Sequence, residues 1–114
     1  MASADASLGF QRYVIIPMYA RLNPIGEGPS IQLLNEHVLV GRDDSCDVVL
    51  VEKSVSKLHC RLLLVERGEW YVQDRESKNG TYVCGKRIGR IIAALKPGDE
   101  ISFGHRCEYG LDEI

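Results

Sequence analysis

The chain has 114 residues, of which 45% are hydrophobic and 26% are charged, and its formal net charge is -2. This length suits one domain with a real core but not an enzyme with separate cofactor and substrate domains, and the near-average composition argues against wholesale disorder. A slightly acidic chain also argues against a general binder of nucleic acid or anionic membranes, so we expect neither partner and expect any basic site to be local.

The cysteines are spread singly along the chain, at Cys46, Cys60, Cys84 and Cys107, without a CxxC pair. Zinc ribbons and redox motifs need close pairs, so we expect no metal site. Two disulfides remain arithmetically possible. The start MASADASLGF, however, lacks the basic and long apolar parts of a secretory signal, which favours free thiols and an intracellular protein, cytoplasmic or nuclear.

In chain order, the small and polar residues 1–10 predict a flexible leader, and residues 11–114 predict one β domain. Turn residues there separate short apolar runs, which are YVIIPMYARL, IQLL, HVLVG, DVVLV, HCRLLLVE, WYVQD, TYVCG, RIIAAL and EISFG. Short runs rich in Val, Ile, Leu and Tyr and bounded by Gly, Pro, Asn and Asp are typical of an all-β sandwich or barrel. RIIAAL, before Pro97, is the segment nearest to a helix, so helix is a minor component at most.

Alternation within the runs supports strands. In EWYVQD, Trp70 and Val72 fall on one face, and Tyr71 and Gln73 fall on the other. Apolar residues with a period of two indicate a strand that has one face on the core.

The stretch SVSKLHC, residues 54–60, carries side chains suited to a nucleophile, a metal site or a phosphate contact. Ser56 and His59 invite a catalytic interpretation, but a triad is defined by geometry, and no G-x-S-x-G elbow or oxyanion motif is present. We therefore expect no catalytic residue and no enzyme activity.

Four motifs stand in register along the chain: GR at 41–42, SKLH at 56–59, NGTYV at 79–83 and LKPGDEISFG at 95–104. Together they resemble the forkhead-associated (FHA) domain family over residues 31–112. The resemblance implies a sandwich of two antiparallel sheets with recognition loops at one end. It also implies a monomeric module that binds phosphothreonine-containing proteins or peptides without a cofactor, and that can be part of a larger protein.

Phosphothreonine carries about -1.5 to -2 charges and three acceptor oxygens, so its site needs a fixed cation and neutral donors. On this resemblance, Arg42 supplies the guanidinium fork and sits deep in the site, and Ser56 supplies a hydroxyl donor. The N–H groups of the turn 54–57 complete an anion nest. Asn79 bonds the peptide backbone with its amide donor and carbonyl acceptor. Alone, Arg42 would be an ordinary surface charge and Asn79 only a turn former.

Two lysines flank the proposed site. Lys57 and Lys78 occupy positions that contribute phosphate or peptide contacts in the family, and direct contact and a solvated loop charge are equally open for both. Position 54 can carry a specificity-reading side chain in relatives. Because Ser54 is short, we expect no strong reading of a distant acidic peptide residue from it.

Other residues are expected to support the site. The resemblance gives this role to Gly41, His59, Gly80 and Thr81, with the His59 imidazole connecting its loop to the NGT turn. The alternative function is a scaffold or self-association module that binds without phosphate through a sheet face. Such a module has no need of Arg42.

Overall fold

The computed structural model describes residues 20–65, 68–105 and 107–113. These residues form eleven strands in two sheets. In this part of the chain no helix is long and apolar enough to cross a membrane. The predicted leader, residues 1–10, lies outside the described residues, as do residues 11–19 of the predicted domain, so that both domain bounds stay predictions.

The first sheet has six strands in the order β2-β1-β11-β10-β7-β8, all paired antiparallel. Its strands are β1 (Ala20–Pro24), β2 (Ile31–Leu33), β7 (Thr81–Val83), β8 (Lys86–Arg87), β10 (Glu100–Phe103) and β11 (Cys107–Glu113).

The second sheet has five strands in the order β4-β3-β5-β6-β9. Its strands are β3 (His37–Gly41), β4 (Val48–Val49), β5 (Cys60–Val65), β6 (Glu69–Asp74) and β9 (Ile92–Leu95). The short pair of β3 with β4 is parallel, and the other pairs are antiparallel. The predicted all-β sandwich is therefore confirmed, with one parallel pair that sequence analysis did not foresee.

The core lies between the sheets, as the alternation predicts. Trp70 and Val72 are buried, whereas Tyr71 and Gln73 are half-buried on the outer face. The segment RIIAAL supplies strand β9 rather than a helix, and it pairs with β6 along the edge of its sheet. Both sheets contribute to one buried cluster, which includes Leu22, Leu33, Val40, Leu62, Trp70, Val72, Ile101 and Phe103.

Four loops meet at one end of the sandwich. They are residues 42–47, 50–59, 75–80 and 104–105, and backbone hydrogen bonds join them. Arg42 N donates to Ser56 O over 3.0 Å, Arg75 N to His59 O over 2.9 Å, and Gly104 N to Gly80 O over 2.9 Å. The candidate residues of the sequence analysis lie in and beside these loops.

Leu62→Ala should lower the free energy of unfolding by about 2 to 5 kcal/mol, because it leaves a cavity in the core. Leu62 is fully buried, and Leu63, its neighbour in β5, points to the outer face and is half-buried. Leu63→Ala is thus a matched control and should cost about 1 kcal/mol or less. Urea denaturation of both variants measures the difference, and equal losses would contradict the assigned register of β5.

Candidate functional site

Gly41 allows two segments of the site to approach closely. A Cβ built on Gly41, the last residue of β3, would overlap the carbonyl oxygen of Lys57 and lie 2.8 Å from Cys46 Sγ. Without that Cβ, the 50–59 loop lies against the end of β3, and Asp43 N donates to Lys57 O over 3.2 Å. The glycine thereby places Arg42 next to Ser56.

The Arg42 side chain is fixed at one nitrogen. Its Nε donates to the carbonyl oxygen of Val55 over 2.9 Å. The two terminal nitrogens of the guanidinium have no hydrogen-bond partner among the residues described. Arg42 is exposed, so the expectation that it sits deep is wrong. Arg42 lies at the surface of the loop end because it immediately follows Gly41, the last residue of β3.

Ser56 connects the 50–59 loop to the 75–80 loop. Its hydroxyl oxygen accepts a hydrogen bond from Lys78 N over 3.0 Å. The hydroxyl proton is not used in this bond, and it remains available for an acceptor on a ligand. Ser56 can therefore hold the second loop and donate outward at the same time.

The expected anion nest at residues 54–57 is not formed as predicted. Ser54 N donates to Glu52 Oε1 over 3.3 Å, Val55 N to Glu52 O over 2.9 Å, and Ser56 N to His59 Nδ1 over 3.0 Å. Of these four N–H groups, Lys57 N–H alone has no acceptor among the described residues. The turn uses its amides for its own closure, and ligand contacts fall mainly to side chains.

His59 is buried between its own loop, residues 50–59, and the 75–80 loop. Since its Nδ1 accepts the Ser56 N–H, the ring proton is on Nε2, which donates to Gly80 O over 2.8 Å. The ring meets Phe103 edge to face, with centroids 6.1 Å apart. Burial lowers the pKa of His59, although the bond to Gly80 and the charge of Asp74 oppose this. A neutral imidazole thus spans the loops.

One of the hydrogen-bonding groups of the Asn79 side chain is already bonded within the protein. Its Nδ2 donates to Ser54 O over 2.9 Å, which ties the 75–80 loop to the 50–59 loop a second time. The amide oxygen and the other amide hydrogen have no partner among the described residues. The predicted contact of Asn79 with a peptide backbone is thus limited to these two groups.

Sequence analysis missed the role of Ser54. This serine is buried, and besides holding Asn79 through its carbonyl, its hydroxyl oxygen accepts a hydrogen bond from His105 N over 3.0 Å. Gly104 makes this approach possible, because its φ is +72° and a Cβ there would lie 2.5 Å from Ser54 O. The sequence FGH, residues 103–105, gives no local signal that it contacts residue 54.

Asp74 organises the 75–80 loop and was also missed. Its carboxylate accepts hydrogen bonds from Ser77 N over 3.0 Å, from Thr81 Oγ1 over 2.7 Å and from the Ser77 hydroxyl. Burial would raise the pKa of Asp74, but these bonds outweigh it and lower the pKa. The spacing D-x-x-S was the available signal, since Asp side chains commonly bond to nearby backbone N–H groups.

The two flanking lysines lie at the surface, and a carboxylate lies near one of them. Both Lys57 and Lys78 are exposed. Hydrogen bonds from Ser45 and, to a smaller extent, the charge of Lys57 lower the pKa of Asp43, so a carboxylate lies close enough to offset part of the Lys57 charge.

The structure brings Arg42, Ser56, Lys57, Lys78 and Asn79 together on one loop surface. A depression of about 420 Å³ is lined by Arg61 and residues 73–76, at the start of the 75–80 loop, and none of the five lines it. Within the described ranges, no three His, Cys, Asp or Glu side chains cluster as metal ligands. The loop surface therefore offers hydrogen-bond donors and positive charge.

Acidification should destabilise the domain through His59. Its folded-state pKa lies below the ordinary value of 6.5. As the pH falls below 6.5, the unfolded chain binds a proton that the buried ring does not, so the free energy of unfolding decreases. The melting temperature should therefore drop between pH 7.5 and pH 5.5, and His59→Gln should remove most of this dependence. An unchanged dependence in His59→Gln would contradict the assignment, and His37→Gln, at an exposed histidine, is the control.

Gly104→Ala should cost far more stability than Gly98→Ala. Both glycines have positive φ, so both substitutions strain the backbone by about 1 kcal/mol or more. At Gly98 no atom lies within 4 Å of the new Cβ, whereas at Gly104 it would strike the Ser54 carbonyl. Thermal unfolding of the two variants tests this, and similar melting temperatures would show that the Ser54 contact is dispensable.

Comparisons with known proteins show the family and the fold of the chain. The FHA domain model matches residues 38–104, which is more than half of the chain. The DNA damage response protein kinase DUN1 of Saccharomyces cerevisiae is 34% identical over 92 residues, covering 74% of this chain and 18% of the kinase. The chain spans only 13% to 54% of the length of five curated relatives that it matches.

Solved structures are similar as well. Mycobacterium tuberculosis EmbR in complex with a low affinity phosphopeptide has a TM-score of 0.76 and 27% identity, covering 84% of this chain and 24% of EmbR. The yeast Dun1 FHA domain, in complex with a doubly phosphorylated peptide derived from Rad53, has a TM-score of 0.70 and 26% identity, covering 96% of this chain and 84% of that domain. From the extent of the family match and the two-sheet fold, this chain belongs to the FHA domain family.

Proposed function

We propose that this chain is a phosphothreonine-peptide-binding module that mediates phosphorylation-dependent protein–protein interactions. The observation that carries the proposal is the Arg42 guanidinium, which Val55 O holds at Nε while its terminal nitrogens stay exposed beside Ser56. The EmbR and Dun1 structures, each solved with a phosphopeptide, support it.

A phosphate at this surface would meet three kinds of donor. The terminal N–H groups of Arg42 form a planar fork that matches two phosphate oxygens. The Ser56 hydroxyl and the Lys57 N–H supply neutral donors, and the lysine side chains add positive charge. The remaining amide groups of Asn79 would bond the peptide backbone beside the phosphorylated residue and so set its direction.

The phosphothreonine must come from outside this sequence. The 114 residues contain one threonine, Thr81, and it is fully buried with its hydroxyl bonded to Asp74. The ligand would be another protein, or a segment of the same protein beyond these residues. We propose a monomeric domain that is part of a larger intracellular protein, since protein kinases that form phosphothreonine use intracellular ATP.

The proposed role needs neither a cofactor nor a catalytic residue. His59 bonds the backbone N–H of Ser56, not its hydroxyl, and its other ring nitrogen bonds Gly80 O. Both ring nitrogens are thus occupied, and neither is placed to take the hydroxyl proton from Ser56. A general base must lie within hydrogen-bond reach of that proton, so this geometry disfavours a hydrolase.

An alternative is phosphate-independent binding through a sheet face or edge. It is favoured by Ile91 and Ile92, which are 65% and 52% exposed at the start of the edge strand β9. Large apolar residues exposed together are common at protein-binding surfaces. Such binding would not depend on Arg42, so one set of variants separates the two functions.

An oriented phosphothreonine peptide library, followed by calorimetry on the selected peptide, tests the proposal. Binding should require the phosphate, and a peptide with Glu in place of phosphothreonine should not substitute, because a planar carboxylate with one charge cannot satisfy the fork and Ser56 together. Arg42→Ala should cost about 1.5 to 3 kcal/mol, the worth of hydrogen bonds to a charged group. Arg42→Lys should also weaken binding, since one ammonium cannot reproduce the fork.

Arg90→Ala is the matched control, because it removes an exposed arginine from the turn between β8 and β9. It should leave the affinity nearly unchanged. Equal affinity of wild type and a folded Arg42→Ala variant, or equal binding of the unphosphorylated peptide, would overturn the proposed function in favour of the alternative.

A further inference from the structure

Arg87 lies against the turn that carries Asn79. It is in β8, directly across from Tyr82 of β7. A Cβ built on Gly80 would be 2.7 Å from Arg87 Nε and 3.0 Å from its Cζ. The guanidinium is therefore packed over the backbone of Gly80, the residue that follows Asn79, and any larger residue at position 80 would displace it.

No ion pair or hydrogen bond among the described residues accounts for this placement. Arg87 is exposed, and no described side chain forms an ion pair or a hydrogen bond with its guanidinium. The neighbouring Lys86 is also exposed and pairs with Val83, but successive residues of a strand point to opposite sides. Arg87 is thus the residue of this hairpin that presents a cation beside the candidate site.

We propose that Arg87 forms a second anion subsite, which binds the carboxylate of an Asp or Glu in the bound peptide, on the Asn79 side of the phosphothreonine. This inference rests on the proposed function. An arginine fork matches a carboxylate in two parallel hydrogen bonds, which gives both attraction and orientation.

The reach of the peptide agrees with such a contact. Asn79 would hold the peptide backbone next to the phosphothreonine, and Arg87 lies beside the very next residue, Gly80. An extended peptide advances about 3.3 to 3.6 Å per residue. An acidic side chain within about three residues of the phosphothreonine can therefore meet the Arg87 guanidinium while Arg42 holds the phosphate.

Ser54, beside Asn79, does not supply such a subsite. Ser54 is buried, with its hydroxyl bonded to His105 N and its carbonyl bonded to Asn79. It presents no cation to solvent. Arg87 is an exposed arginine in contact with the Asn79–Gly80 turn, and its planar fork suits a carboxylate better than the point charge of Lys57 or Lys78 does.

The test uses a peptide that contains one phosphothreonine among neutral residues, with Asp placed at each flanking position in turn. Affinities are measured for the wild type, for Arg87→Gln and for the matched control Lys86→Gln. At one position, Asp should tighten binding about three- to tenfold in the wild type and in Lys86→Gln, and should give no gain in Arg87→Gln. Arg87→Glu should instead favour Lys at that position.

Each other result overturns the inference. An Asp gain that persists in Arg87→Gln, or that is lost equally in Lys86→Gln, would assign the effect to general charge. A wild type that binds the phosphopeptide but gains nothing from Asp at any position would refute the subsite while leaving the proposed function intact. A wild type that binds no phosphopeptide would refute both. Arg87→Lys, which keeps the charge, should retain part of the gain and guards against misfolding in the other variants.

Discussion

The arrangement of the loop end depends on one buried imidazole. His59 accepts the Ser56 N–H at Nδ1 and donates to Gly80 O at Nε2, so one ring fixes two loops that are 21 residues apart in the chain. The Ser56 bond requires Nδ1 without a proton and the Gly80 bond requires a proton on Nε2, so the two bonds together require the neutral ring. A buried donor without a partner costs about 1 to 3 kcal/mol, so replacing this ring would leave the Ser56 N–H unsatisfied, whereas Gly80 O would keep its bond from Gly104 N.

The same end of the sandwich contains the buried polar residues of the described chain. These are Ser54, His59, Ser77 and Thr81, whereas the space between the sheets is filled by aliphatic and aromatic side chains. Each of the four bonds to another loop or to Asp74. Packing between the sheets sets the distance between the strand ends, and this polar network then fixes the loops across that distance. Fold stability and site geometry are consequently coupled through the loops.

Sequence patterns predicted features that depend on neighbouring residues, such as the two faces of a strand. They did not predict contacts between segments that are distant in the chain. Alternation in EWYVQD predicted the faces of Trp70 and Val72 because side chains in a strand have a period of two. The motifs around Arg42, Ser56 and Asn79 predicted which loops meet, through their resemblance to a family. The contact of Ser54 with His105, 51 residues away, has no local pattern, and neither does the parallel pairing of β3 with β4.

The predicted anion nest at residues 54–57 failed to form because three of its four N–H groups bond to acceptors that the sequence does not reveal. Four successive N–H groups in a turn look available in a sequence, but their acceptors are decided by side chains such as Glu52 and His59 that the fold brings alongside. The exposure of Arg42 within the assembled site could not be predicted from the sequence either, because it depends on how far the neighbouring loops extend beyond the end of β3.

These features also explain why protonation acts on the site in two separate ways. The second ionisation of a phosphate monoester has a pKa near about 6, so mild acid removes one charge from the ligand that Arg42 would bind. Mild acid also favours a protonated imidazole, which cannot accept the Ser56 N–H at Nδ1. The first effect belongs to the ligand and lowers affinity without changing the free protein. The second belongs to the protein and breaks the bond between Ser56 N and His59 Nδ1 within the 50–59 loop, with no ligand present. Since His59 lies behind the loops and touches no proposed ligand group, the stability of the free domain reports the second effect alone, and the ligand contribution follows by comparison with binding at the same pH.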